Sequence, residues 1–147
     1  MNKLLFQKLV ITFCVLFITS SLHSQDVVVI KDTSESTIAF ISIDGEIKNS
    51  NGQQIAKVEL SGEVKDASDQ LLVTISGNEI KNSSNILIGK IQYIEHGRIN
   101  LLDNQDNQIC KIEYSSKIYN SNGDLLFVTS DAIIDLYLIA YMIYFYN

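Results

Sequence analysis

The chain has 147 residues, with 17 acidic and 11 basic side chains, two cysteines and no proline. A length of this order fits one domain. The net charge of −6 argues against nucleic acid or an anionic bilayer as partner, because both need basic patches that displace counterions.

The first stretch is read as a leader. Lys3 and Lys8 give a basic start, residues 9–19 are apolar, and Ser20, Ser21, His23 and Ser24 close the stretch with mostly small or polar groups. That is the pattern of a secretory signal peptide, and the apolar part falls short of the roughly 20 residues of a membrane span. Cleavage is expected after Ser24, leaving a periplasmic or secreted domain of residues 25–147 whose net charge, with Lys3 and Lys8 gone, is −8. Cys14 leaves with the leader. Cys110 then has no partner for an internal disulfide, so the core alone must hold the fold; between Ile109 and Lys111 it reads as a strand residue of small volume.

Residues 27–30 are a short β-prone run, residues 31–36 a polar loop, and residues 37–43 an alternating strand. From there a phrase recurs five times: Gly45-Glu46-Ile47-Lys48-Asn49, Gly62-Glu63-Val64-Lys65-Asp66, Asn78-Glu79-Ile80-Lys81-Asn82, Gly97-Arg98-Ile99-Asn100-Leu101 and Ser116-Lys117-Ile118-Tyr119-Asn120. The third positions are 17, 16, 19 and 19 residues apart. Such regularity makes internal recurrence the first thing to explain. Each phrase leads into a polar turn and a second apolar alternation, such as Ile55-Ala56-Lys57-Val58 or Ile109-Cys110-Lys111-Ile112. Asn51-Gly52 and Asn122-Gly123 predict tight hairpin turns with positive φ at both residues. The loop 103–108 reads as an insertion in the fourth unit, which costs little closure entropy.

Units this small cannot bury an apolar face singly. The expected fold is therefore all-β: five short β-hairpin repeats closed around a pseudo-fivefold axis, with Ile47, Val64, Ile80, Ile99 and Ile118 buried together. The tail, residues 132–146, is almost wholly apolar and aromatic. It is expected to start as one or two helical turns after Asp131, to finish as a strand over 141–146, and to pack on the core.

The opening glycines Gly45, Gly62 and Gly97, the second glycine Gly89, the ending Ala140-Tyr141 with Phe145 and the leader together resemble the secreted β-flower proteins of Bacteroidetes. The resemblance spans residues 45–146 and implies five hairpin units about a fivefold axis. It departs at Asn78 and Ser116, which replace the opening glycine, and at Ala56 and Cys110, which stand where Gly89 does. It implies no catalytic residue.

A direct search for chemistry yields few candidates. His96, beside Glu95, is the sole histidine after the leader, and Ser115 and Ser116 lack an elbow motif. Glu46, Glu63 and Glu79 recur, which period-2 alternation explains by placing them opposite the buried Ile47, Val64 and Ile80. The loop 103–108 is rich in oxygen ligands but has Gln108 and Tyr114 where a calcium loop needs Gly and Glu. No metal or other cofactor is expected. The function expected is a non-enzymatic structural or binding module, with a glycan or cell-surface protein as partner and Asp103, Asn104, Asp106 and Asn107 as ligand-binding residues. The alternative is a small hydrolase that uses the three glutamates or His96.

Overall fold

Period-2 alternation builds the sheet. The computed structural model describes residues 27–145, and the stretch read as a leader lies outside them. Twelve strands follow one another: β1 (Val27–Asp32), β2 (Thr37–Ser42), β3 (Glu46–Asn49), β4 (Gln54–Val58), β5 (Glu63–Asp66), β6 (Leu71–Ser76), β7 (Glu79–Asn82), β8 (Leu87–Ile94), β9 (Arg98–Asp103), β10 (Gln108–Glu113), β11 (Lys117–Asn120) and β12 (Leu125–Thr129). A helix, α1 (Asp135–Phe145), ends the described chain. In β4, Ala56 and Val58 are buried and Lys57 between them is not; β10 does the same with Cys110, Lys111 and Ile112.

Each strand pairs antiparallel with its neighbours in sequence, and β1 pairs with β12, so the sheet is one closed barrel. All-β character stands. The five hairpin units about a fivefold axis do not, and the correction has three physical causes. The first is that residues 27–36, read as a run and a loop, are a further strand and turn of the same kind. Asp32 Oδ1 accepts from the N–H groups of Ser34 and Ser36, both at 2.9 Å. Asn49, Asp66, Asn82, Asp103 and Asn120 do the same two and four residues on.

The second cause lies in the β9 register. Leu101, two residues before its turn cap Asp103, faces Cys110, just as Ile47 faces Ala56. The recurrent phrase places Ile99 at this position, two residues early. Ile99 is inward all the same, because a slip of two preserves the face: it is 3% exposed and Leu101 fully buried. The extra length of this unit is therefore not in the 103–108 loop, which matches the other turns. It is in the β8–β9 hairpin at the other end, where Tyr93↔Ile99 and Ile94↔Arg98 extend the pairing.

The third cause is that the hairpins are not separate units. Every strand bonds on both sides, so no boundary divides one hairpin from the next.

The turns also differ from the two-residue expectation. Gly52 and Gly123 have φ of 79° and 90°, but Asn51 and Asn122 are not in the positive-φ region. The same position is left-handed at Glu35, Asp69, Asn85 and Asp106. The cap side chain supplies the acceptor that shapes a longer turn, leaving a single left-handed residue before the next strand. A bulge follows each of these turns, at Ile38, Ile55, Leu72, Ile88, Ile109 and Leu126. All but Leu72 are seen packed against the core from this capped end.

Twelve strands spaced by about 4.8 Å close to a barrel roughly 10 Å in radius, which leaves a lumen about one helix wide. α1 fills it. Tyr137, Leu138, Ile139, Ala140, Tyr141, Met142 and Ile143 are all buried, a pattern only a helix surrounded on every side can show. The strand expected over 141–146 is absent through Phe145. The Tyr141 ring meets Phe127 of β12 edge to face at 6.4 Å between centroids, and the Tyr137 hydroxyl donates to the Ile43 carbonyl at 3.2 Å. Small inward residues on the strands, Ala39, Ala56, Gly89 and Cys110, lie opposite Ile30, Ile47, Ile80 and Leu101 and leave room for the helix.

Candidate functional site

With up-and-down connectivity the barrel has two unlike ends. Turns β1–β2, β3–β4, β5–β6, β7–β8, β9–β10 and β11–β12 gather at the capped end. The other turns, the start of β1 and the entry of α1 gather at the opposite, helix end.

The capped end is a rim of carboxylates and amides. Asp103 is committed to its own turn: Oδ1 accepts from Gln105 N–H at 2.8 Å and Asn107 N–H at 2.9 Å, while Oδ2 accepts from the Asn107 side-chain amide at 2.9 Å. The bond from Asn107 is the main reason its carboxyl titrates below the ordinary range. Asp32 is held low in the same way, chiefly by the Ser34 hydroxyl. Asp106 holds the left-handed turn position and accepts from Lys90 Nζ at 2.6 Å. Asn104 is exposed. So the four residues expected to bind a ligand do share one turn, with the side chains of Asp103 and Asn107 and the backbone of Asp106 engaged in building it. Sequence reasoning missed the Lys90 partner, which no spacing rule signals. It also missed Asp32 as a member of the rim, although the phrase Ile30-Lys31-Asp32 carries the same Ile-Lys-Asn/Asp signal.

The recurrent glutamates lie on the barrel exterior, each beside the lysine two residues on: Glu46 with Lys48 at 2.9 Å, Glu63 with Lys65 at 3.4 Å and Glu79 with Lys81 at 2.7 Å. Residues i and i+2 of a strand share a face, so each pair is local. The Lys81 bond lowers the Glu79 pKa. His96 occupies a left-handed position in the β8–β9 turn, its side chain 73% exposed and 4.0 Å from Glu95. Ser115 donates to Asp135 at 2.6 Å, which fastens the β10–β11 turn to the first turn of α1. Nucleophile and carboxylate thus bond directly, with no imidazole between them as acyl transfer through such a set requires. Cys110 is buried, and desolvation pushes its thiol up to about 12. Among the described residues no three His, Cys, Asp or Glu side chains come together as a metal site.

No family model, curated protein or solved structure matches the chain. The resemblance to the β-flower proteins is thereby withdrawn: its short glycine phrase marks strand starts and turns, and the twelve-strand barrel is not their five-hairpin plan. What the fold defines is a closed antiparallel β-barrel around a central helix.

Proposed function

We propose that this chain is a non-enzymatic binding or structural module that reaches the periplasm or the exterior after loss of residues 1–24. The observation that carries the reading is the filled lumen. A β-barrel commonly keeps its ligand inside, and here α1 occupies that volume with Tyr137, Leu138, Ile139 and Met142 buried. Whatever the protein meets, it meets on its surface. The capped rim is the surface proposed for a glycan or a cell-surface protein, because amides and carboxylates around Asp103, Asn104, Asp106 and Asn107 present both donors and acceptors. No helix of the described residues is long and apolar enough to cross a membrane.

The test is binding of the purified domain to a glycan panel and to cell-envelope extracts, set against an Asn104→Ala/Asp106→Asn variant that leaves the Asp103 cap intact. Binding that falls at least tenfold in the variant supports the rim. Unchanged binding, or no ligand at all, removes it, and a hydrolytic turnover abolished by His96→Ala would replace the module with the enzyme. Amino-terminal sequencing of the native product tests the leader, and Met1 retained in a membrane fraction would overturn cleavage.

A further inference from the structure

We propose that, in the chain still carrying its leader, the helix end of the barrel docks on the surface of a neutral lipid bilayer. This face is distinct from the capped rim, and the inference does not depend on that rim's ligand. Exposed large apolar groups are concentrated here: Ile43 and Leu60 at turn tips, Tyr93 and Ile94 on the β8–β9 hairpin, Tyr114 in the β10–β11 turn and Ile134 before α1. Leu60 is 78% exposed and Ile43 66%. An aliphatic group at the tip of a tight turn contributes little to the core and keeps apolar area in water, and a gathering of such groups marks an interaction surface. Tyr93 and Tyr114 add rings with an apolar body and a polar tip, the side-chain type enriched where hydrocarbon meets headgroup. The β8–β9 hairpin extends the sheet by two residues at this end, about 7 Å, comparable with the roughly 5–10 Å depth reached by interfacial segments.

The route of the chain supplies the occupant. β1 begins at Val27 at the helix end, and only residues 20–26 separate it from the apolar stretch 9–19. Seven residues reach at most about 25 Å. If residues 9–19 enter a bilayer, this end of the barrel is the one brought to its surface, with the Ser24–Gln25 bond a few residues away. The opposite end is unsuited, since its turns carry Asp32, Glu35, Asp66, Asp69, Asp103 and Asp106. Asp44, Glu59 and Glu95 at the helix end disfavour an anionic surface and leave neutral headgroups as the match.

The test is hydroxyl-radical footprinting, read by mass spectrometry, of the full chain reconstituted into phosphatidylcholine vesicles and, as reference, of the mature chain 25–147 in free solution. Labelling of Leu60, Tyr93 and Tyr114 should fall at least threefold in vesicles, while Leu71, Ile86 and Leu125 at the capped end stay unchanged. In the full-length variant Leu60→Ser/Tyr114→Asn, still anchored by residues 9–19, Tyr93 should regain the labelling it has in free solution. Asparagine tolerates the left-handed conformation at position 114, so the turn is kept. Equal labelling at both ends overturns the proposal. Protection that grows with the number of copies per vesicle also overturns it, because the cover would then be a second copy of the chain.

Discussion

Ile99 and Leu101 show how far one side chain's direction governs this molecule. Both point into the lumen, two residues apart on β9, whereas Glu63 stands outside with its side chain 46% exposed beside Lys65. Truncating a buried aliphatic loses its transfer energy and leaves a cavity, so Ile99→Ala and Leu101→Ala should each cost about 2 to 4 kcal/mol. Glu63→Gln removes a surface ion pair and should shift stability by under about 0.5 kcal/mol. Urea denaturation of the three variants checks this, and equal midpoints would mean that the inward and outward faces are assigned wrongly. Inward positions were legible from sequence because alternation tolerates an even slip. The cap residues were visible as the Asn or Asp that closes most of the recurrent phrases, but their capping role was not. Asp and Asn are common in any turn, and only the backbone shows that Asp32, Asn49, Asp66, Asn82, Asp103 and Asn120 hold the same pair of N–H groups.

At the scale of the element, α1 is where sequence reasoning was weakest, for a physical reason. A helix on a surface shows a polar face every 3.6 residues, and that periodicity is the signal by which it is read. α1 lies inside a barrel and has no polar face beyond Asp135. Its tyrosines and isoleucines therefore read equally well as strand. The same burial makes the helix the centre of the core, in contact with inward side chains from the surrounding strands. A chain ending at Ser130 keeps all twelve strands but exposes Ile30, Ile41, Ile47, Ile80 and Ile112 to an unfilled lumen about one helix wide. We expect it to lose cooperative thermal unfolding and to bind a hydrophobic dye, with strand signal in far-ultraviolet circular dichroism partly retained. A cooperative transition within a few degrees of the intact chain would show that the barrel closes without its helix. The Ser115–Asp135 bond and the left-handed Tyr114 and Ser115 belong to the same element. Two non-glycine residues in that region cost roughly 1–2 kcal/mol each, and the turn that contains them is tied to the helix entry.

For the whole molecule, closure by β1 and β12 joins strands about a hundred residues apart, and the carboxylates that cap one end make that closed state sensitive to acid. Asp32 and Asp103 each titrate below their ordinary value, through bonds that only the folded turn provides: from Ser34 foremost in one case and from Asn107 in the other. Asp44, Glu79 and Glu113 are lowered as well, by Ser42, Lys81 and Lys111 respectively. A depressed carboxylate pKa stabilises the fold fully above the unfolded value, about 4, and that contribution is lost as pH falls through the lower folded value. Stability should therefore be flat from neutral pH down to about 5 and decline below about 4. Asn49, Asn82 and Asn120 already perform the same capping with an uncharged amide. The variant Asp32→Asn/Asp103→Asn should thus keep its neutral-pH urea midpoint closely, and its midpoint should fall less steeply between about pH 4 and pH 2. Part of the acid sensitivity will persist, because Asp44, Glu79 and Glu113 remain. Midpoints measured across that range decide the matter: superimposable acid limbs for the two proteins would show that the caps at Asp32 and Asp103 do not couple protonation to the closed barrel.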